Sequence, residues 1–145
     1  MTGDDRTAFL AGERPGDVLI YLADRAVSDP GALAAHGERA GEGVVLVLSG
    51  ERAQGVFQRA AGIDPMAFAR RAMDTEGTVR ADCTGGVCPA GDSGGDHRIR
   101  FVFAFAEERN EDAGGLYAEG DVIHAYVSCS CGQAYSDKWV AGQRS

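Results

Sequence analysis

The sequence lacks features that mark several large classes of proteins. A single lysine, Lys138, stands among 14 basic residues, and 22 acidic residues bring the net charge to −8. Proteins that hold nucleic acid through its phosphates need a basic face, so direct nucleic-acid binding is not expected. The longest apolar runs are Val44–Leu48 and Phe101–Ala106. Both are far shorter than the roughly 20 residues of a membrane-spanning helix, so no membrane insertion is expected.

The first residues also lack a targeting segment. Met1–Asp5 is acidic and no apolar stretch follows it, unlike a secretory signal peptide. We therefore expect a cytoplasmic protein with reduced thiols, whose four cysteines are metal ligands or free thiols rather than a disulfide framework. The acid excess, the scarcity of lysine and the 21 glycines favour a salt-adapted organism, with codon bias alone as the alternative.

Length and periodicity predict one α+β domain over residues 1–145. We expect residues 1–75 to form a helix-rich part packed on a mixed sheet. Residues 76–145 are expected to add a loop and a C-terminal antiparallel meander. A chain of this length buries enough surface to need no metal merely to fold.

The first part contains four helix signals and one strand signal. Residues 18–26 carry apolar side chains at helical spacing, with a strand over residues 18–22 as the alternative. Asp-Pro pairs at 29–30 and 64–65 are typical of helix starts, the first helix running to about Arg39. Val44–Leu48 indicates a strand buried on both faces, followed by a helix from Ser49-Gly50.

The second part contains strand signals separated by turn residues. Residues 98–107 alternate phenylalanine with valine and alanine, which predicts a strand with two apolar faces. Two further strands, over residues 122–129 and 133–140, are joined by a tight turn at Ser130–Gly132. Antiparallel pairing of these three strands would bring the start of the first beside the hairpin turn of the other two.

The cysteines fall into two pairs that this meander would bring together. Cys83 and Cys88 form a C-x4-C pair, and Cys129 and Cys131 form a C-x-C-G pair. Thiolates on two short, glycine-containing loops are typical of a tetrahedral structural zinc site, although the usual knuckle spacing is C-x2-C. The prediction is a zinc site of these four cysteines, with His97 as the alternative fourth ligand.

Other interpretations of the cysteines stay open. A disulfide or thiol-redox pair, and unconnected thiols, are both compatible with the spacing. His124 is a poor ligand candidate, since it lies about 16 Å from Cys129 along the strand and on its opposite face. A hydrogen-bonded or solvated strand histidine is the preferred interpretation. No nucleotide-binding, EF-hand or zinc-enzyme motif is present.

Several blocks of the sequence look familiar together. They are Gly62–Ala69, Gly94–His97, Arg100–Glu108, Gly115–Tyr126, Cys131-Gly132 and Tyr135–Asp137. With them the chain resembles an uncharacterised haloarchaeal family of unknown function, over nearly its whole length. The resemblance implies a halophilic, cytoplasmic protein and implies no activity or catalytic residue.

The functional expectation is a zinc-stabilised, non-enzymatic domain that contacts another macromolecule. A thiol-redox or metal-handling protein is the alternative, and a zinc-dependent enzyme is a weaker one. An enzyme would need an open metal position and a neighbouring pocket.

Overall fold

The computed structural model describes residues 7–13, 16–27, 35, 37–40, 42–80, 83–89 and 98–141. Residues 7–10 are helical, and short 3-10 turns lie at Asp24–Ala26 and Glu111–Ala113. The remaining elements are β1 (Asp17–Ala23), β2 (Glu38–Ala40), β3 (Gly43–Ser49), α1 (Gly50–Ala61), α2 (Pro65–Met73), β4 (Thr78–Val79), β5 (Gly86–Val87), β6 (Ile99–Glu107), α3 (Leu116–Glu119), β7 (Val122–Cys129) and β8 (Ala134–Val140).

A six-stranded sheet in the order β2-β3-β1-β6-β7-β8 forms the centre of the fold. Every neighbouring pair in it is antiparallel. Ile20 of β1 lies opposite Leu46 of β3 on one side and Phe103 of β6 on the other. The short strands β4 and β5 form a separate antiparallel hairpin.

The predicted α+β class, with a helix-rich first half on a mixed sheet, is wrong. The described part of the chain is dominated by strands, and its large sheet is entirely antiparallel. Residues 18–26, predicted as a helix, contain the central strand β1. Both faces of β1 are buried, so its sequence is an almost unbroken apolar run. Such a run hides the two-residue alternation by which a half-exposed strand is recognised.

The predicted helix from Asp29-Pro30 to Arg39 falls largely on residues 29–34 and 36, which lie outside the described residues. The predicted C-terminal end of this helix is wrong, because Glu38–Ala40 forms β2 and pairs with β3. Arg39 instead holds Asp24, with its guanidinium nitrogens 2.6 and 2.7 Å from the two carboxylate oxygens.

Other predicted elements are confirmed. The apolar run after Gly43 is β3, the helix after it is α1, and the three C-terminal strands β6, β7 and β8 form an antiparallel meander. Asp64 caps α2, since its carboxylate accepts a hydrogen bond from the backbone N–H of Ala67 at 3.3 Å, and Pro65 occupies the first turn. None of the described helices is long and apolar enough to cross a membrane.

One face of the sheet is covered by helices, and we call it the helix-covered face. Helix α1 packs on β1 and β3, while α2 packs on β7 and β8. Phe57 of α1 stacks on Phe68 of α2 at 5.7 Å and meets the edges of Phe101 and Phe103 at 5.3 and 5.2 Å. These four rings fill the space between helices and sheet.

The opposite face, which we call the loop-covered face, has a different cover. Its sheet residues include Leu19, Tyr21, Val45, Val102, Ala104, Ile123, Val127, Cys129, Tyr135 and Trp139. Phe9 from the N-terminal helical residues and Val79, Cys83 and Cys88 from the β4–β5 segment complete this cluster. No α-helix of the described chain longer than one turn covers this face, which therefore depends on short segments.

Candidate metal centre

Three cysteine sulfurs meet at one end of the loop-covered face. The sulfurs of Cys88, Cys129 and Cys131 all lie within 4.8 Å of one another. The Sγ atoms of Cys88 and Cys131 are 3.8 Å apart. Cys88 and Cys129 are buried, whereas Cys131 is exposed. The cluster therefore extends from the buried core, at Cys88 and Cys129, to the protein surface at Cys131.

The β7–β8 hairpin supplies two of these sulfurs. Cys129 ends β7, and its backbone N–H donates to the carbonyl of Gln133 at 2.9 Å. The N–H of Gly132 donates back to the carbonyl of Cys129 at 3.0 Å, and Gly132 has a φ of 95°. This left-handed conformation is easily adopted only by glycine, so Gly132 allows the turn that brings Cys131 beside Cys129.

The start of β6 holds the hairpin turn in place. The backbone N–H of Ser130 donates to the carbonyl of Arg98 at 2.7 Å, and the N–H of Arg98 donates to Ser130 Oγ at 3.0 Å. This reciprocal pair confirms that the start of β6 and the hairpin turn lie at the same end of the sheet. The antiparallel meander is thus the reason that distant cysteines can meet.

The β4–β5 hairpin delivers the third sulfur, that of Cys88. Thr78 pairs with Val87, directly before Cys88. The hairpin is tied to the main sheet because a carboxylate oxygen of Asp137 in β8 accepts from the N–H of Val79 at 3.0 Å. The N–H of Gly77, just before β4, also donates to the carbonyl of Ser136 in β8 at 2.9 Å, so the hairpin that delivers Cys88 is anchored on β8.

Tyr135 lies against the cluster and was missed by the sequence analysis. Its ring packs against Gly77, and its hydroxyl lies beside Gly86, where a side chain would leave it little room. Burial raises the pKa of Tyr135, and the nearby thiols of Cys88, Cys129 and Cys131 raise that pKa further. The pairing of β7 with β8 could have identified it. Tyr135 lies opposite Val127 and therefore on the same face of the sheet as Cys129.

The predicted ligands are only partly brought together. Cys83 is fully buried in the same apolar cluster, but it is not a member of the close group of three sulfurs found among the described residues. Its backbone has a φ of 62°, unusual for a residue other than glycine, and its N–H donates to the carbonyl of Arg80 at 2.9 Å. His97, the alternative ligand, lies outside the described residues.

His124 is a hydrogen-bonded strand histidine, as predicted. Its Nε2 lies 2.8 Å from Glu107 Oε1, and its ring stacks on Phe105 with centroids 5.1 Å apart. Phe105 packs against the cluster of the helix-covered face. His124 therefore belongs to the side of the sheet opposite the thiols.

The arrangement of the three sulfurs suits a metal ion that prefers thiolates. Zinc bonds to cysteine sulfur at about 2.3 Å, so two sulfurs of a regular tetrahedral site are about 3.8 Å apart. The sulfurs of Cys88 and Cys131 are separated by 3.8 Å. A disulfide needs a bond of about 2.05 Å, so the present separation is a non-bonded contact.

Comparison with known proteins identifies a family but no activity. The model of a family described as being of unknown function, DUF5807, matches residues 37–142. The matched region contains all four cysteines. No curated protein and no solved structure matches the chain.

Proposed function

Because the chain belongs to the DUF5807 family of unknown function, we propose a function from the cysteine geometry itself. Cys88, Cys129 and Cys131 hold one zinc ion, which clamps the β4–β5 hairpin to the β7–β8 hairpin. The metal has a structural role, and the domain acts by contact with another macromolecule.

The observation that carries this proposal is the convergence of three sulfurs within 4.8 Å from segments far apart in sequence. Apolar packing explains the burial of Cys88 and Cys129 but not the exposed position of Cys131 beside them. A thiolate cluster, by contrast, concentrates negative charge that a divalent cation neutralises. The 3.8 Å separation between Cys88 and Cys131 also equals the edge of a zinc–thiolate tetrahedron.

We assign the fourth position to Cys83, with His97 as the alternative. Cys83 is fully buried in the same cluster and precedes Cys88 by five residues, at the far side of the β4–β5 hairpin. A site closed by four protein ligands has no position for a reactive water, which favours a structural over a catalytic role.

The proposed partner is a macromolecule rather than a membrane or a nucleic acid. The net charge of −8 disfavours phosphate-rich partners. Three large apolar side chains, those of Met66, Met73 and Val87, are more than half exposed. Val87 directly precedes Cys88, so its exposed side chain would form part of a contact surface beside the metal.

The acid excess and the scarcity of lysine support a cytoplasmic setting in a salt-adapted archaeon. Acidic side chains keep a protein hydrated when salt screens their mutual repulsion. The four cysteines, none of them in a disulfide, are compatible with a reducing compartment.

Native mass spectrometry tests the zinc proposal. Protein purified in high salt without added metal should carry one zinc per chain, and its thiols should react only after denaturation. The variants C83S and H97A, made separately, identify the fourth ligand, with H36A as a histidine control outside the proposed set. An apo chain with four freely reactive thiols contradicts the proposal.

The second candidate function is a thiol-redox role, and the close approach of Cys88 and Cys131 favours it. A mild oxidant would remove two hydrogens, one from each thiol, and form one S–S bond. Mass spectrometry of the metal-free protein should then show a reversible loss of two mass units, absent from the C131S variant. Stable, metal-masked thiols would exclude this candidate.

A further inference from the structure

A cleft of about 590 Å³ lies on the helix-covered face, on the side of the sheet opposite the thiols. Strands β6, β7 and β8 form its floor through Phe105, His124, Tyr126 and Ser136. Tyr117 of α3 and Lys138 line it as well, as do Met73 and Glu76 near the end of α2. Its size is within the range of small-molecule binding sites.

Lys138, the single lysine of the chain, lines this cleft. Its ammonium donates to the Tyr117 hydroxyl at 3.1 Å and lies 5.2 Å from the centre of the Tyr117 ring. Within the described part of the chain, this ammonium has no carboxylate partner. The cleft of an acidic protein thus contains a positive charge that is not paired with an acid.

The neighbouring carboxylate is already engaged. Glu107 Oε1 lies 2.8 Å from His124 Nε2, and the His124 side chain is only 16% exposed. The His124 ring lies between Phe105 and Tyr117, at centroid distances of 5.1 and 6.1 Å. Since a carboxylate only accepts hydrogen bonds, Nε2 carries the proton of this pair. The Glu107 carboxylate therefore pairs with His124 and not with Lys138.

The floor of the cleft provides an apolar surface beside the ammonium. Phe105 and Tyr126 pack with ring centroids 5.9 Å apart. Met73, at the end of α2, is 62% exposed and borders the same space. A planar or apolar ligand body can therefore cover aromatic surface while its polar end stays near Lys138.

We propose that this cleft binds a small monocarboxylic acid with an apolar or aromatic body. The Lys138 ammonium and the Tyr117 hydroxyl supply one donor for each carboxylate oxygen, because Tyr117 accepts from Lys138 and keeps its own proton to donate. Glu76, Glu107 and Asp137 also line the cleft, and their negative charge limits the ligand to a single negative charge. A phosphate dianion has more acceptor oxygens and is usually met by several donors or an arginine fork.

An organic cation is the competing ligand class, because aromatic rings and Glu76 also attract cations. The ring of Tyr117 already has the Lys138 ammonium against it. A second cation there would be repelled by that ammonium at close range. The observations therefore favour the carboxylate.

Titration with three matched probes tests this proposal. Benzoate, benzamide and benzylamine share one ring and differ in charge, and NMR shift perturbation of the full chain reports their binding. We expect saturable binding of benzoate in the millimolar range, with shifts centred on Lys138, Tyr117 and Tyr126. The other two probes should bind at least about tenfold more weakly.

Variants then identify the donors. K138M should weaken benzoate binding by about tenfold or more, since a charge-assisted hydrogen bond is lost, and Y117F should weaken it less. R70M removes one positive charge from the exposed side of α2, outside the cleft, and is the control for net charge. The probe comparison on the unchanged protein does not depend on the folding of any variant.

Three outcomes would overturn the proposal. Benzylamine binding as tightly as benzoate, or more tightly, would assign the cleft to cations. Equal benzoate affinity of K138M and R70M would remove the lysine from the site. Absence of saturation by every probe up to about 10 mM would exclude a carboxylate site of useful affinity.

Discussion

The two faces of the large sheet are closed in different ways. On the helix-covered face, α1 and α2 lay a cluster of phenylalanine rings against the strands. On the loop-covered face, two strands of two residues each form the hairpin that brings Cys88 onto the sheet. Hydrogen bonds from the backbone N–H groups of Val79 and Gly77 to β8 hold this hairpin on the sheet. The difference teaches that regular helices cover one face, whereas short segments anchored on β8 cover the other.

The largest expected effect concerns the helix-covered face. Phe57 contacts three other rings and is fully buried, so F57A should lower the free energy of unfolding by about 3–5 kcal/mol. Urea denaturation followed by circular dichroism measures this loss. The loss should be the same with and without a zinc chelator. A strong chelator dependence would mean that the two faces are not separate.

Metal removal tests the loop-covered face. If zinc binds as proposed, free zinc at about 100 times its Kd stabilises the protein by about 3 kcal/mol, and chelation removes this stabilisation. Hydrogen exchange should then speed up in β4, β5 and the β7–β8 turn, while α1 and α2 keep their protection. The C129S variant is the control, because its stability should not respond to zinc. Uniform loss of protection would contradict a local clamp.

A smaller effect is expected at the start of α2. Asp64 accepts a hydrogen bond from the N–H of Ala67, so D64A should cost about 1 kcal/mol. D74A is the matched control, since Asp74 follows the last residue of α2, where a negative charge gives no helix-dipole benefit. Equal losses in the two variants, measured by denaturation, would argue against the cap.

The smallest effect compares one tyrosine from each face. Burial raises the pKa of Tyr126 on the helix-covered face, and the neighbouring Tyr117 and Glu107 raise that pKa further. Burial also raises the pKa of Tyr21 on the loop-covered face, against a smaller lowering by Arg25. In both cases the folded state favours the neutral phenol. Stability should therefore hold below pH 10 and decline as the pH rises through 10 toward the folded-state pKa values.

Denaturation at increasing pH measures this decline. The variants Y126F and Y21F cannot ionise at these positions, so each should show a shallower decline than the parent protein. A decline that neither variant changes would assign alkaline sensitivity to other groups. If Y126F and Y21F reduce the decline of stability with pH by different amounts, the larger reduction identifies the face that excludes water more strongly.

The sequence predicts the second half of the fold far better than the first. Strands β6, β7 and β8 follow one another along the chain without an intervening strand, and the Asp64-Pro65 pair marks α2 in the sequence itself. Strand β1 is different, because its neighbour β6 is distant in sequence and both of its faces are buried. Local periodicity contains no information about such a distant partner.

The same contrast applies to the two sites. The convergence of Cys88 with Cys129 and Cys131 was predicted from the meander, although the structure brings Cys88 there on the β4–β5 hairpin. The position of Cys83 outside the group of three close sulfurs could not be predicted, because it depends on the turn of the β4–β5 hairpin. The cleft was missed because its lysine, histidine and tyrosines come from separate elements. Cross-strand register, which places His124 opposite both Phe105 and Lys138, is the signal that would have found it.

The central position of β1 has a consequence for the order in which the chain assembles. Val18 pairs with Leu48 of β3 and with Phe105 of β6, which is synthesised much later. Until β6 is available, one edge of a very apolar strand has no hydrogen-bonding partner and can recruit strands from other chains. Closing such a distant pair is also slow. Release of β6 from the ribosome is thus the step at which β1 gains its second hydrogen-bonding partner.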